Sequence, residues 1–144
     1  MENRSGLVVD VEITHATGTA EREAATAMIK RTVKKSGATV GADKGYDVGS
    51  FVTGIRALKV TPHVAQKDKG SAIDRRTTRH EGYKTSLKIR KRVEEVFGWS
   101  KTIGGLHQIK FRGLKKVAAQ TVFTFAAYNL TRMGSIFGWR CSTA

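Results

Sequence analysis

With 144 residues, of which 40% are hydrophobic and 26% charged, the chain is large enough for one globular core and is too apolar for a disordered segment. Its 26 Lys and Arg against 12 Asp and Glu give a formal net charge of +14, which predicts a polyanionic partner such as nucleic acid. The single cysteine, Cys141, excludes an internal disulfide and favours a reducing cytoplasm, and the longest apolar run, VFTFAAYNL, is too short to cross a bilayer.

The first 65 residues alternate between strand-like and helix-like patterns. LVVDVEI, at 7–13, places apolar residues at every second position, as a half-buried strand does. The stretch after Thr19 has acids in its first turn and basic residues before Gly37, which are the charge preferences of a helix. We therefore predict strands at 7–13, 38–42 and 59–65, and helices from Thr19 to about Lys35 and at 48–58.

The rest of the chain is predicted to be one loop followed by helices. Residues 66–86 hold many charges and few large apolar side chains, so we expect a basic, mobile loop. A long helix is predicted at 87–101, and a final helix at 114–133 is apolar on most faces and should be largely buried. The order of elements predicts an α/β layered fold, and we expect a single domain over 1–144.

The positive charge is concentrated in one part of the chain. Residues 67–116 carry 15 of the 26 Lys and Arg but only five of the 12 acids. A solvated loop and helix face would also explain such charges, but their concentration favours a continuous track that binds DNA phosphates. The densest part of this track, the basic cluster, comprises Lys84, Lys88, Arg90, Lys91 and Arg92.

Two carboxylates near the basic cluster are candidates for chemistry. Arg90, Glu94 and Lys101 stand at i, i+4 and i+11 of the predicted helix, so we expect them to share a face on which two cations flank Glu94. Asp43 follows a predicted strand, in GADKGYD, whose second acid, Asp47, is expected to be a surface residue, as are Asp74 and Glu95. Each acid could be ordinary, Glu94 in a surface ion pair with Arg90 and Asp43 in a turn. Together they are hard oxygen ligands of the kind that a pair of Mg²⁺ (or Mn²⁺) ions needs for phosphoryl transfer.

These residues resemble a known family. GADKGYD, RKRVEEVFGWSKTIGG and HQIKFRGLKKV are similar to the C-terminal part of the catalytic domain of insertion-sequence DDE transposases. The helix signature of that family is Tyr-x2-Arg-x3-Glu-x6-Lys. Arg90, Glu94 and Lys101 match it, while Leu87 stands in place of the tyrosine. Asp43 matches the second metal-binding acid of the family.

The resemblance implies a fold, an activity and partners. The expected fold is RNase H-like, a mixed sheet flanked by helices, in which two Asp and one Glu hold two Mg²⁺ ions. The implied activity is DNA cleavage at the element's ends and strand transfer to target DNA. Asp43 and Glu94 are then the metal ligands, and Arg90 and Lys101 contact phosphates. The resemblance also implies that the partner is double-stranded DNA and that the active form is a homo-oligomer. The expected location is the bacterial cytoplasm, in association with the nucleoid.

One acid of the family pattern has no match. The first catalytic Asp of the family lies upstream of the segment that begins here at Glu2, so we expect an N-terminally truncated domain that lacks its first strand or strands. Asp10 is a poor substitute, because an Asp at a strand centre is more often a surface residue. The alternative is a non-catalytic, basic DNA-binding remnant. Such a protein would bind DNA through 84–92 and would need neither Asp43 nor Glu94.

Overall fold

The computed structural model describes residues 1–139, which form two compact units. The central unit is Ala16–Lys91, and the terminal unit combines Met1–His15 with the chain from Arg92 onward. Cys141 lies outside the described residues. Each unit is described by itself below.

The central unit is built around a β-α-β arrangement. Strands β1 and β2 pair in parallel, with Thr39 opposite Thr61 and Ala42 opposite Val64, and helix α2 forms the connection between them. The elements are α1 (Ala20–Thr32), β1 (Thr39–Ala42), a short 3₁₀ turn (Lys44–Tyr46), α2 (Gly49–Ala57), β2 (Thr61–Val64), α3 (Arg75–Thr78) and α4 (Glu81–Ile89). The two strands and two helices predicted between Thr19 and residue 65 are confirmed, as is the α/β class.

The core of the central unit explains why these segments fold together. Its buried apolar side chains come from α2, from β2 and the residue before it, and from the two segments that follow. They are Phe51, Val52, Ile55, Val60, Val64, Ile73 and Tyr83. The Tyr83 hydroxyl donates to the carbonyl of Val64 at 2.8 Å, so this polar group is satisfied inside the core. Helix α4 is thereby fixed to β2.

The ends of α1 differ slightly from the prediction. Thr19 occupies the cap position, but it is the hydroxyl of Thr17 that accepts the N–H of Ala20, at 3.1 Å. The chain then turns into β1 at Gly37, whose φ of +78° suits glycine and whose N–H donates to Lys59 at 2.9 Å.

The terminal unit consists of helices α5 (Arg92–Thr102) and α6 (Leu114–Phe137) with the N-terminal segment. The carboxamide of Asn129 holds both backbone groups of Val8, donating to its oxygen and accepting from its N–H at 2.8 Å each. Phe97 of α5 meets Phe125 of α6 edge to face, with ring centroids 6.4 Å apart. Side-chain contacts, rather than a strand ladder, therefore attach the N-terminal segment to α6.

Four expectations are wrong. The described residues 7–13 form no strand, because a strand needs a neighbour to pair with and here Asn129 takes the backbone groups of Val8. The segment 66–86 contains α3 and most of α4 instead of remaining a loop. The helix expected at 87–101 is divided, since Arg90 and Lys91 form a turn between α4 and α5.

The fourth concerns α6, which was expected to be largely buried. Of its side chains only Thr121, Thr124 and Phe125 are buried, while Phe123 is 78% exposed. Within residues 1–139 the strands number two and are parallel, so the mixed RNase H-like sheet stays a prediction. No helix in the same residues is long and apolar enough to span a membrane.

Candidate active site and DNA-binding surface

Asp43 lies directly after β1, where the strand opens into the 3₁₀ turn. Its Oδ1 accepts the N–H of Gly45 at 2.8 Å, so the carboxylate caps this turn, and the side chain is exposed. A Cβ at position 45 would lie 3.0 Å from that oxygen, which explains the glycine. Lys44 pairs with Asp68 at 3.1 Å. The carboxylate of Asp43 thus has both a structural role and access to solvent.

Asp47, the second acid of GADKGYD, is only 1% exposed and was wrongly expected at the surface. Its two oxygens accept the backbone N–H groups of Lys67 and Ala72 at 2.7 and 2.8 Å. Burial raises the pKa of Asp47, but these bonds, with the Ser71 hydroxyl, outweigh burial and hold the pKa below its usual value of 3.8. Asp47 therefore binds the loop after β2 to the segment that carries Asp43.

Arg90 lies against the strand that leads to Asp43. A Cβ at Gly41 would be 3.5 Å from the Cβ of Arg90 and 3.7 Å from the carbonyl of Ser86, so the end of α4 packs closely on β1. The Nε atom of Arg90 is buried and has no hydrogen-bond partner. A buried donor without a partner is costly, which makes Arg90 unusual among the cations of the basic cluster.

The other predicted DNA-binding residues fall in both units. Lys84 and Lys88 are exposed one turn apart on α4, where Lys84 also pairs with Glu81 at 3.6 Å, and Lys91 is exposed in the turn after it. Arg92 begins α5 in the terminal unit, and its Nη1 donates to the carbonyl of Asn3 at 2.8 Å. The guanidinium of Arg92 is therefore partly committed to holding the N-terminal segment.

Glu94 and Lys101 lie two turns apart on α5 and are both exposed, so the expectation that they share a helix face holds. The expectation that Arg90 shares this face through one continuous helix is wrong, because the helix is interrupted at Arg90 and Lys91. Asp43 and Arg90 belong to the central unit and Glu94 to the terminal unit.

A resident divalent metal requires several ligands in one place. Among residues 1–139 no group of three or more His, Cys, Asp or Glu side chains could hold a metal ion. Asp43 and Glu94 are carboxylates of the type that Mg²⁺ prefers, but the described residues do not form a complete ligand set around either of them. Among the same residues Asp10 belongs to no such group of ligands, and its Oδ1 accepts the N–H of Val11 at 2.8 Å.

A comparison with known protein families identifies the family of this chain. The family model described as "Transposase DDE domain" matches residues 1–130 of the 144, which include the whole central unit and part of the terminal unit. The chain belongs to the transposase DDE domain family. Membership in the transposase family implies a role in DNA transposition and cleavage in general. The searches of curated proteins and of solved structures each gave no significant match.

Sequence reasoning missed several residues that this transposase-family chain uses. Asp47 was expected to be a surface acid but is buried, whereas Asp74 is partly exposed as expected and pairs with Arg56 and Arg76 at 3.0 and 2.8 Å. Only the short spacing between Asp43 and Asp47 in one motif hinted that the second acid has a role of its own. The Arg56–Asp74 pair joins α2 to the residue before α3 across 18 positions, so the local sequence does not predict it, whereas Arg76 lies only two residues after Asp74.

Proposed function

We propose that this chain is the catalytic domain of an insertion-sequence transposase, which cleaves DNA and transfers its strands with Mg²⁺ or Mn²⁺. The observation that carries the proposal is the match of residues 1–130 to the transposase DDE domain. We extend it to an RNase H-like fold, to one domain over 1–144, to double-stranded DNA and a homo-oligomer as partners, and to a nucleoid-associated place in a bacterial cytoplasm.

Asp43 and Glu94 are the proposed catalytic carboxylates. Both are exposed, and Asp43 follows a strand of the only sheet in the described residues. Bound divalent cations would supply charge stabilisation of the attacking and leaving oxygens. The chain's own part is to present the two carboxylates, and the cap bond from Gly45 fixes the rotamer with which Asp43 does so.

The proposed DNA contacts are Arg90, Lys101 and the exposed lysines. The ammonium groups of Lys84, Lys88 and Lys91 are exposed to solvent, and exposed cations of this kind neutralise DNA phosphates. Arg90 contributes from beside β1, because it packs against Gly41 in the strand that leads to Asp43. Arg92 is proposed as a weaker contact, because part of its guanidinium binds Asn3.

A second function, DNA binding without catalysis, is favoured by one specific observation. The described residues contain no group of three or more potential metal ligands, whereas their exposed cations are numerous. Under this alternative the lysines of the basic cluster act alone. The two functions differ in their need for Asp43 and Glu94.

Plasmid nicking with Mg²⁺ or Mn²⁺, measured beside DNA binding by fluorescence anisotropy, tests the proposal. Asp43→Asn keeps an oxygen that can cap the turn and removes the charge, and Glu94→Gln removes the other charge. Each should lower nicking by about a hundredfold or more, as the loss of a metal ligand does. Asp68→Asn and Glu95→Gln, which neutralise exposed acids nearby, are the matched controls and should nick normally.

The outcomes separate the two functions. Nicking that survives Asp43→Asn or Glu94→Gln contradicts the proposed site. Binding without nicking in the native chain, lost when Lys84, Lys88 and Lys91 are changed to Gln, establishes the non-catalytic alternative.

A further inference from the structure

The beginning of the β1–β2 pair opens into a cavity of about 600 Å³ within the central unit. Thr39 and Thr61, the first residues of the two strands, lie in its wall. Asp43 follows the other end of β1, about 13 Å away by the rise of an extended strand. The cavity is therefore separate from the strand end that carries the candidate acid.

Cationic and hydrogen-bonding side chains line this cavity. They are Arg56, Lys59 and Arg76, with the imidazoles of His63 and His80. No acid is among the described residues of its wall. Burial, and then the neighbouring His80, lowers the pKa of His63 below its usual 6.5, so near neutral pH this imidazole contributes hydrogen bonding rather than charge.

A carboxylate that pairs with both arginines orders their guanidinium groups. Asp74 accepts from Nη2 of Arg56 at 3.0 Å through Oδ1 and from Nη2 of Arg76 at 2.8 Å through Oδ2. Arg56 also donates to the hydroxyl of Thr77 at 3.3 Å. Since one carboxylate meets two arginines and Lys59 adds a third cation, the cavity keeps a net positive charge. Ordered guanidinium groups lose less freedom when they bind an oxyanion.

We propose that this cavity binds a phosphate group, supplied by a nucleic-acid backbone or by free phosphate, through Arg56, Arg76 and Lys59. Guanidinium groups match the geometry of phosphate oxygens with paired N–H donors, and the hydroxyls of Thr39 and Thr61 are further donors at the wall. The site uses neither Asp43 nor Glu94 nor any lysine of the basic cluster. It would give the domain a second phosphate contact at the opposite end of β1.

The test titrates the full chain, labelled for amide NMR, with inorganic phosphate and separately with a short DNA duplex that lacks terminal phosphates. Arg76→Gln removes a cation of the wall, and Arg75→Gln removes its exposed neighbour on α3, which does not line the cavity. Phosphate should shift the amide signals of Thr39 and Thr61. Arg76→Gln should weaken this binding by about tenfold or more, while Arg75→Gln should change it by less than about twofold.

A second variant distinguishes a loss of phosphate binding from an effect of Arg76→Gln on folding. Lys59 has a φ of +57°, a conformation that asparagine tolerates, so Lys59→Asn removes a cation with little backbone strain. It should weaken phosphate binding as Arg76→Gln does. Shifts of the two threonine signals by the duplex but not by phosphate assign the site to a nucleic-acid backbone.

Equal weakening by Arg75→Gln and Arg76→Gln, or no shift with either probe, overturns the proposal. Neither result bears on nicking by Asp43→Asn, so failure of this site and failure of the proposed catalytic function are distinguishable.

Discussion

Removal of the buried carboxylate of Asp47 should destabilise the central unit strongly. Two charge-assisted bonds, from the N–H groups of Lys67 and Ala72 at 2.7 and 2.8 Å, end on this side chain. Each such bond contributes about 1.5–3 kcal/mol, and its loss leaves a poorly solvated N–H behind. We expect Asp47→Ala to lower the free energy of unfolding by about 3 kcal/mol or more, a large fraction of the 5–15 kcal/mol that is typical of a domain.

Urea unfolding followed by far-ultraviolet circular dichroism measures this loss, and hydrogen exchange locates it. The amides of Lys67 and Ala72 should exchange faster in Asp47→Ala. Asp68→Asn is the matched control, because its side chain is 91% exposed and its ion pair with Lys44 contributes less than about 1 kcal/mol. If Asp47→Ala and Asp68→Asn have equal midpoints, or if the two amides stay protected, the argument from buried bonds is refuted.

The same residue predicts a pH dependence with a definite direction. The folded pKa of Asp47 lies below its ordinary 3.8, because the hydrogen bonds outweigh burial. Its stabilising contribution is therefore complete above that ordinary value and is lost as the pH falls through the folded pKa. Asp47→Asn should accordingly show a smaller loss of stability than the native chain when both are acidified below about pH 4.

Two further predictions concern the terminal unit. A Cβ at Gly104 would lie 2.5 Å from Thr124 Cγ2 and 2.8 Å from the carbonyl of Ser100, so Gly104→Ala should lower the melting temperature at a cost of about 1–3 kcal/mol. Gly98→Ala, in open space on α5, should raise the melting temperature, because alanine favours a helix over glycine by about 1 kcal/mol. If both variants shift the melting temperature in the same direction, the packing at Gly104 is contradicted. Asn129→Ala should cost about 1–2 kcal/mol and speed hydrogen exchange at Val8, and unchanged exchange there would disprove the attachment.

The local sequence was a good guide where neighbours along the chain decide the structure. Acids and bases at the ends of α1, the glycine at Gly37 and the short apolar runs at 38–42 and 59–65 are local signals, and the elements that they predicted are present. The position of Asp43 just beyond a strand followed from the same signals. The family pattern was readable for a similar reason, since its residues stand at fixed short spacings in the chain.

What the sequence by itself determined is therefore the α/β class, the elements α1, β1, α2 and β2 of the central unit, the positive charge and the candidate acids. Only the tertiary structure decided that residues 7–13 remain outside a ladder, that α4 ends before Lys91 and that Asp47 is buried. It also decided that Asp74 joins Arg56 to Arg76. The N-terminal segment, the burial of Asp47 and the Arg56–Asp74 pair depend on partners 18 or more residues away, because a backbone group or a buried charge takes whichever partner the fold brings to it.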